Sequence, residues 1–129
     1  MSDLRILLVE DSAADAEFAK LRLRGAGEVE HCTSLAAALA RLTDATRPRP
    51  SVVLLDLSLP DAHGLVALDR IKHAEPPPVL VMSGDDDPAS ERAALERGAR
   101  GFVHKGALSG DELLRIVREA ARAGVERER

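Results

Sequence analysis

Val52-Val53-Leu54-Leu55-Asp56 is an unbroken apolar run closed by an acid, and the chain repeats that pattern. Ile6-Leu7-Leu8-Val9 runs into Glu10-Asp11, Val79-Leu80-Val81-Met82 into Ser83, and Phe102-Val103-His104 into Lys105. A fifth run, Val29-Glu30-His31-Cys32, ends without such a group. Near-continuous apolar runs are the mark of strands buried on both faces. Helical periodicity between successive runs implies a parallel sheet with right-handed crossovers. The expected fold is therefore α/β: a doubly wound, five-stranded parallel sheet with helices on both faces. All its strands end at one edge, so Glu10, Asp11, Asp56, Ser83 and Lys105 should collect where open α/β sheets bind ligands.

The intervening segments carry their own signals. About Ala13 to Arg24, the first helix is expected to place Ala14, Phe18 and Leu21 on one face. Ser34 caps the second, whose stripe is Leu35, Ala38, Leu39 and Leu42. The third, Gly64 to about His73, offers Leu65, Leu68 and Ile71. Asp87-Pro88 opens the fourth and Gly98 closes it, with Leu95 as its one bulky apolar residue. Ser109 and Glu112 form a capping-box pattern ahead of Leu113, Ile116, Val117 and Ala120. One domain, residues 1–122, is expected, with 123–129 as a charged tail or linker stub.

Composition narrows the function classes. The chain has 129 residues, 45% hydrophobic and 31% charged, with two Phe and no Tyr or Trp. Its core must come from Leu, Val, Ile and Ala. A net charge of −4 argues against a nucleic-acid surface. The single cysteine excludes an internal disulfide and fits a reducing compartment. No run approaches the ~20 apolar residues of a membrane span. A cytoplasmic setting is expected.

Three carboxylates at one spot repel strongly, about 4 kcal/mol per pair at ~4 Å and an effective dielectric of ~20. Such a site calls for protonation or a cation, and Mg²⁺ suits hard oxygen ligands alongside a phosphate. Lys105 supplies a point charge for phosphate oxygens and Ser83 a hydroxyl donor. Gly84 is read as allowing close backbone approach. Asp56 is then a carboxylate nucleophile that takes a phosphoryl group. Glu10 and Asp11 alone also fit helix-capping acids. Asp56 does not, since a buried strand end rarely tolerates an unpaired acid.

With these motifs in order and phase, the chain resembles the receiver domain of bacterial two-component response regulators over essentially its whole length. The carriers are Glu10-Asp11, Asp56-Leu-Ser-Leu-Pro60-Asp-Ala-His-Gly64, Ser83-Gly84 and Gly98-Ala-Arg-Gly-Phe102-Val-His-Lys105. The resemblance implies a flavodoxin-like strand order, 2-1-3-4-5. It implies Asp56 as phosphoacceptor and Mg²⁺ held by Asp11, Asp56 and the Ser58 carbonyl, with Glu10 acting through water. It further implies Ser83 and Lys105 as phosphoryl ligands, Phe102 as the switch aromatic, and Ser58 and Asp85 as residues that tune dephosphorylation. One departure stands out: the family usually places proline after the lysine, often with a cis bond, and here that residue is Gly106. His31, His63, His73 and His104 show no ligand spacing and read as structural.

The expected function is a phosphorylation-controlled signalling switch rather than a conventional enzyme. It takes its phosphoryl group from the phosphohistidine of a sensor kinase or phosphotransfer protein and autodephosphorylates. A downstream protein or a second copy docks on helix four, strand five and helix five; neither nucleic acid nor membrane is a partner. The alternatives are a phosphorylation-independent pseudo-receiver and a small Mg²⁺-dependent aspartyl phosphatase. The phosphatase ranks last, because Ser58 stands where those enzymes favour a second acid.

Overall fold

A computed structural model describes residues 4–84, 87–106 and 109–128. Five strands form a parallel sheet: β1 (Leu4–Val9), β2 (Gly27–Cys32), β3 (Val52–Asp56), β6 (Val79–Ser83) and β7 (Gly101–His104). Their order is β2-β1-β3-β6-β7, which is 2-1-3-4-5 when only these long strands are counted. The remaining two, β4 (Ser58–Leu59) and β5 (Ala62–His63), make a small antiparallel ribbon after β3. Two-residue strands carry too little periodicity to be legible beforehand.

The helices are α1 (Ala13–Arg22), α2 (Leu35–Leu42), α3 (Leu65–Lys72), α4 (Pro88–Glu96) and α5 (Gly110–Glu128). The expected caps form. Ser34 Oγ accepts from Ala37 N at 3.1 Å, Asp87 Oδ1 from Ala89 N at 3.0 Å, and Ser109 Oγ from Glu112 N at 3.2 Å. No described helix is long and apolar enough to cross a membrane.

Side chains on a strand alternate between faces, and the core divides accordingly. Ile6, Leu8, Leu54, Leu80 and Met82 join α1 and α5 through Ala16, Ala19, Leu113, Val117 and Ala120. Leu7, Val9, Val53, Leu55 and Val81 join α2, α3 and α4 through Leu35, Ala38, Leu68, Ile71 and Ala94. β3 lies mid-sheet with all five residues buried. The acid that ends it is therefore fixed on every side.

Two helix faces differ from expectation. In α1 the buried positions are Ala16 and Ala19, while Phe18 and Leu21 are 55% and 57% exposed. Small residues let the helix lie close on the sheet, and the Arg22 guanidinium stacks 3.7 Å over the Phe18 ring outside. In α4, Leu95 is 43% exposed and Ala94 is the fully buried contact. Gly98, at φ 98°, turns the chain so that Ala99 N donates to the Ala94 carbonyl at 3.0 Å, and both alanines enter the core.

Candidate functional site

Strand register assembles the site. Val9 pairs with Leu55, so Glu10 and Asp56 each stand one residue beyond that rung. Asp56 pairs with Met82, which puts Ser83 one step past it, and Ser83 pairs with His104, which puts Lys105 next. Lys105 N donates to the Ser83 carbonyl at 2.9 Å, closing the row of strand ends. The chain leaves β1 for β2 and returns to β3 on the other side. Glu10 and Asp56 therefore flank the point where the winding reverses, the place where such sheets form a crevice.

Glu10 and Asp56 are buried; Asp11 is exposed beside them. Lys105 Nζ lies 2.6 Å from Glu10 Oε1, 3.0 Å from Asp56 Oδ1 and 2.9 Å from Asp15 Oδ2. Asp56 Oδ2 accepts from Ser58 N at 3.2 Å, and Glu10 Oε2 from Ser12 N at 3.2 Å. Burial pushes the Glu10 carboxyl above its ordinary range; contact with Lys105 opposes this and the Asp56 charge adds to it. Burial alone would lower the Lys105 ammonium. Its close contacts with the Glu10, Asp15 and Asp56 carboxylates outweigh that and hold it above its usual value.

The donor set fits a hard divalent cation. One oxygen each from Glu10, Asp11 and Asp56 lies within 4.8 Å of the others. Glu10 Oε1 is buried and receives no aligned hydrogen bond, its approach to Lys105 being an ion contact. Carboxylate oxygens with unspent acceptor capacity are what Mg²⁺ or its bound water requires.

The loop after Asp56 is held at several points. Gly64, at φ 66°, donates to the Leu57 carbonyl at 2.7 Å. A side chain there would be strained in that left-handed conformation. Asp61 accepts from Leu35 N at 2.8 Å and Ala36 N at 3.0 Å, tying the loop to the start of α2. The two amides hold its carboxyl below the usual range.

Phe102 is half-buried in the cluster facing α4, and the His104 ring packs edge-on to it at 5.0 Å. His104 Nε2 is 3.4 Å from Glu91 on α4. Ser58 is exposed at the rim, and Asp85 lies outside the described residues. A Cβ at Gly84 would meet nothing within 4 Å among the described protein atoms. His31 is structural, as expected: its Nε2 donates to the Glu10 carbonyl at 2.7 Å, fixing the acidic turn. The peptide after Lys105 is trans, since no cis bond occurs among the described residues. Asp15 and Asp61 are site residues that sequence reasoning missed. Neither carries a local signal for this role, because their partners lie 90 and 26 residues away.

Comparison with known proteins agrees with this geometry. The family model described as "Response regulator receiver domain" matches residues 6–118. A protein-glutamate methylesterase/protein-glutamine glutaminase from Anaeromyxobacter dehalogenans is 35% identical over 129 residues, covering 92% of this chain and 36% of its own length. The chain thus spans about a third of that relative. A CheY-like receiver domain protein from Methanospirillum hungatei shares the fold at TM-score 0.83 and 23% identity, over 98% of this chain and 99% of its own. The Mn²⁺-bound form of response regulator Rcp1 matches at TM-score 0.72 and 28% identity, over 90% of each chain.

Proposed function

The chain belongs to the response regulator receiver family, and on that premise we propose a phosphorylation-controlled switch in which Asp56 accepts a phosphoryl group from a phosphohistidine. One observation carries the reading: the Lys105 ammonium lies 3.0 Å from an Asp56 carboxylate at the end of a buried strand, beside two further acids. The donor is a sensor kinase or a histidine phosphotransfer protein.

In the acceptance step an Asp56 carboxylate oxygen forms a bond to phosphorus. The phosphorus–nitrogen bond of the donor imidazole breaks, and its electron pair stays on that nitrogen. Lys105 holds one phosphoryl oxygen by charge and the Ser83 hydroxyl donates to another. The Ser58 amide, already donating to Asp56 Oδ2, keeps the carboxylate oriented. Asp11, Asp56 and the Ser58 carbonyl would hold Mg²⁺ with Glu10 in support, and the bound ion would neutralise charge on the transferring group. Positioning and neutralisation are the protein's contribution.

Dephosphorylation reverses the bond at Asp56. Water adds to phosphorus, and the phosphorus–oxygen bond breaks with its pair returning to the carboxylate. By resemblance to the family, Ser58 and Asp85 are the residues that tune its rate. The protein acts only on itself. Phosphorylation draws Ser83 inward, Phe102 fills the space, and the α4–β7–α5 face becomes the dock for a downstream protein or a second copy. The complete acid set with Lys105 argues against a pseudo-receiver, and Ser58 at the second-acid position argues against a phosphatase.

Acetyl phosphate with Mg²⁺ should add one phosphoryl group by intact mass. Asp56→Asn should abolish the adduct and Asp11→Ala should remove Mg²⁺-dependent labelling. Equal labelling of the Asn variant would place the acceptor elsewhere.

A further inference from the structure

Three carboxylates approach Lys105, and the proposed function uses only two of them. The third, Asp15, sits in the first turn of α1, three residues after the N-cap Ser12. An acid at that position usually reaches back to the N-cap amide. Here that amide already donates to Glu10 Oε2 at 3.2 Å, while Ser12 Oγ accepts from Asp15 N at 3.2 Å. The Asp15 carboxylate is released from capping and receives a hydrogen bond from Lys105 Nζ at 2.9 Å.

We propose that Asp15 is a positioning residue that holds Lys105 in the resting state and competes with the incoming phosphoryl group for its ammonium. The inference rests on the reading of Asp56 as phosphoacceptor. A lysine has three N–H donors, and three carboxylates already face them. A phosphoryl group adds a charge of about −1.5 to −2 and three acceptor oxygens at the same place. Lys105 must turn toward it, and the contacts differ in how readily they yield. Glu10 is 1% exposed, so bulk water does not reach it to replace the ammonium. Asp56 carries the new group. The Asp15 side chain is 49% exposed and rehydrates easily, so it is the contact given up. Whatever Asp15 contributes to the resting arrangement is subtracted from the phosphorylated one.

Beryllofluoride titrated at fixed saturating Mg²⁺, followed by the Phe102 amide resonance, tests this. Asp15→Asn keeps the shape and removes the charge. It should bind the mimic about two- to five-fold tighter than the parent, the range of a half-exposed ion pair. Asp15→Glu, which keeps a carboxylate within reach of Lys105, should return the parent affinity. With acetyl phosphate, Asp15→Asn should lower KM by a similar factor and leave kcat unchanged, because the competition acts before the chemical step. Unchanged or weaker binding in Asp15→Asn, or Asp15→Glu indistinguishable from it, overturns the inference. A parent that binds no beryllofluoride overturns the phosphoacceptor reading and this inference with it. A parent that binds, beside an Asp56→Asn control that does not, confines any failure to Asp15.

Discussion

Arg41 shows how one residue can hold a region together away from the site. Its side chain is buried, forms a bidentate pair with Glu30 at 2.7 and 2.9 Å, and donates to the Pro48 carbonyl at 2.6 Å. The Arg41 bond holds the Glu30 carboxyl below its ordinary value, against the opposing effect of burial. A depressed folded-state pKa contributes stability that is fully present above the unfolded value, near 4.5, and is lost as pH falls through the lower folded value. Arg41→Met should therefore cost about 1.5–3 kcal/mol in urea unfolding at pH 7, since it removes the bidentate partner of a half-buried acid and leaves it only the exposed Arg47 at 2.9 Å. The deficit should shrink below pH 4 as Glu30 protonates. A deficit that does not change with pH would mean that packing of the arginine stem, and not its charge, holds the region. Cys32 nearby is the opposite case. Burial, with the Glu30 charge adding to it, raises its thiol to about 11, leaving it inert at neutral pH.

At the scale of elements, α4 is the loosest member of the sheet's helical cover. Ala94 is its buried contact, and Glu91 reaches His104 on β7 across 3.4 Å. Leu95→Ala should change stability by no more than ~0.5 kcal/mol, as exposed substitutions do. Ala94→Leu should cost about 1–3 kcal/mol by overpacking. The reverse ranking in denaturant unfolding would show that the helix packs in another phase. Because so small a contact resists displacement weakly, a site that favours an inward Ser83 can shift the helix between two packings. Hydrogen exchange with beryllofluoride bound should change along α4 and β7. Changes confined to α1 and α2 would refute that route of transmission.

For the molecule as a whole, folding gathers like charges that a cation relieves. Mg²⁺ that binds the folded chain alone should stabilise it by about 2.7 kcal/mol at a hundred-fold excess over Kd. The melting temperature should rise with Mg²⁺ in the parent and stay flat in Asp11→Ala. An equal rise in both would place the stabilising ion away from Glu10, Asp11 and Asp56.

The five long strands, their polar ends and the caps at Ser34, Asp87 and Ser109 were legible in the chain, because each is written in a few neighbouring residues. Parallel strands then leave no choice about which edge Glu10, Asp56, Ser83 and Lys105 share. Packing in three dimensions settled the rest. Which face of α1 turns inward depended on how close the helix must lie, and that favoured Ala16 and Ala19 over the larger Phe18 and Leu21. Local periodicity weighs hydrophobicity but not the space left between helix and sheet. The third partner of Lys105 and the tie from His31 to Glu10 join residues 90 and 21 positions apart. Such pairs have no local signature: a hydrogen bond is fixed by where two atoms meet in space, and packing alone sets that.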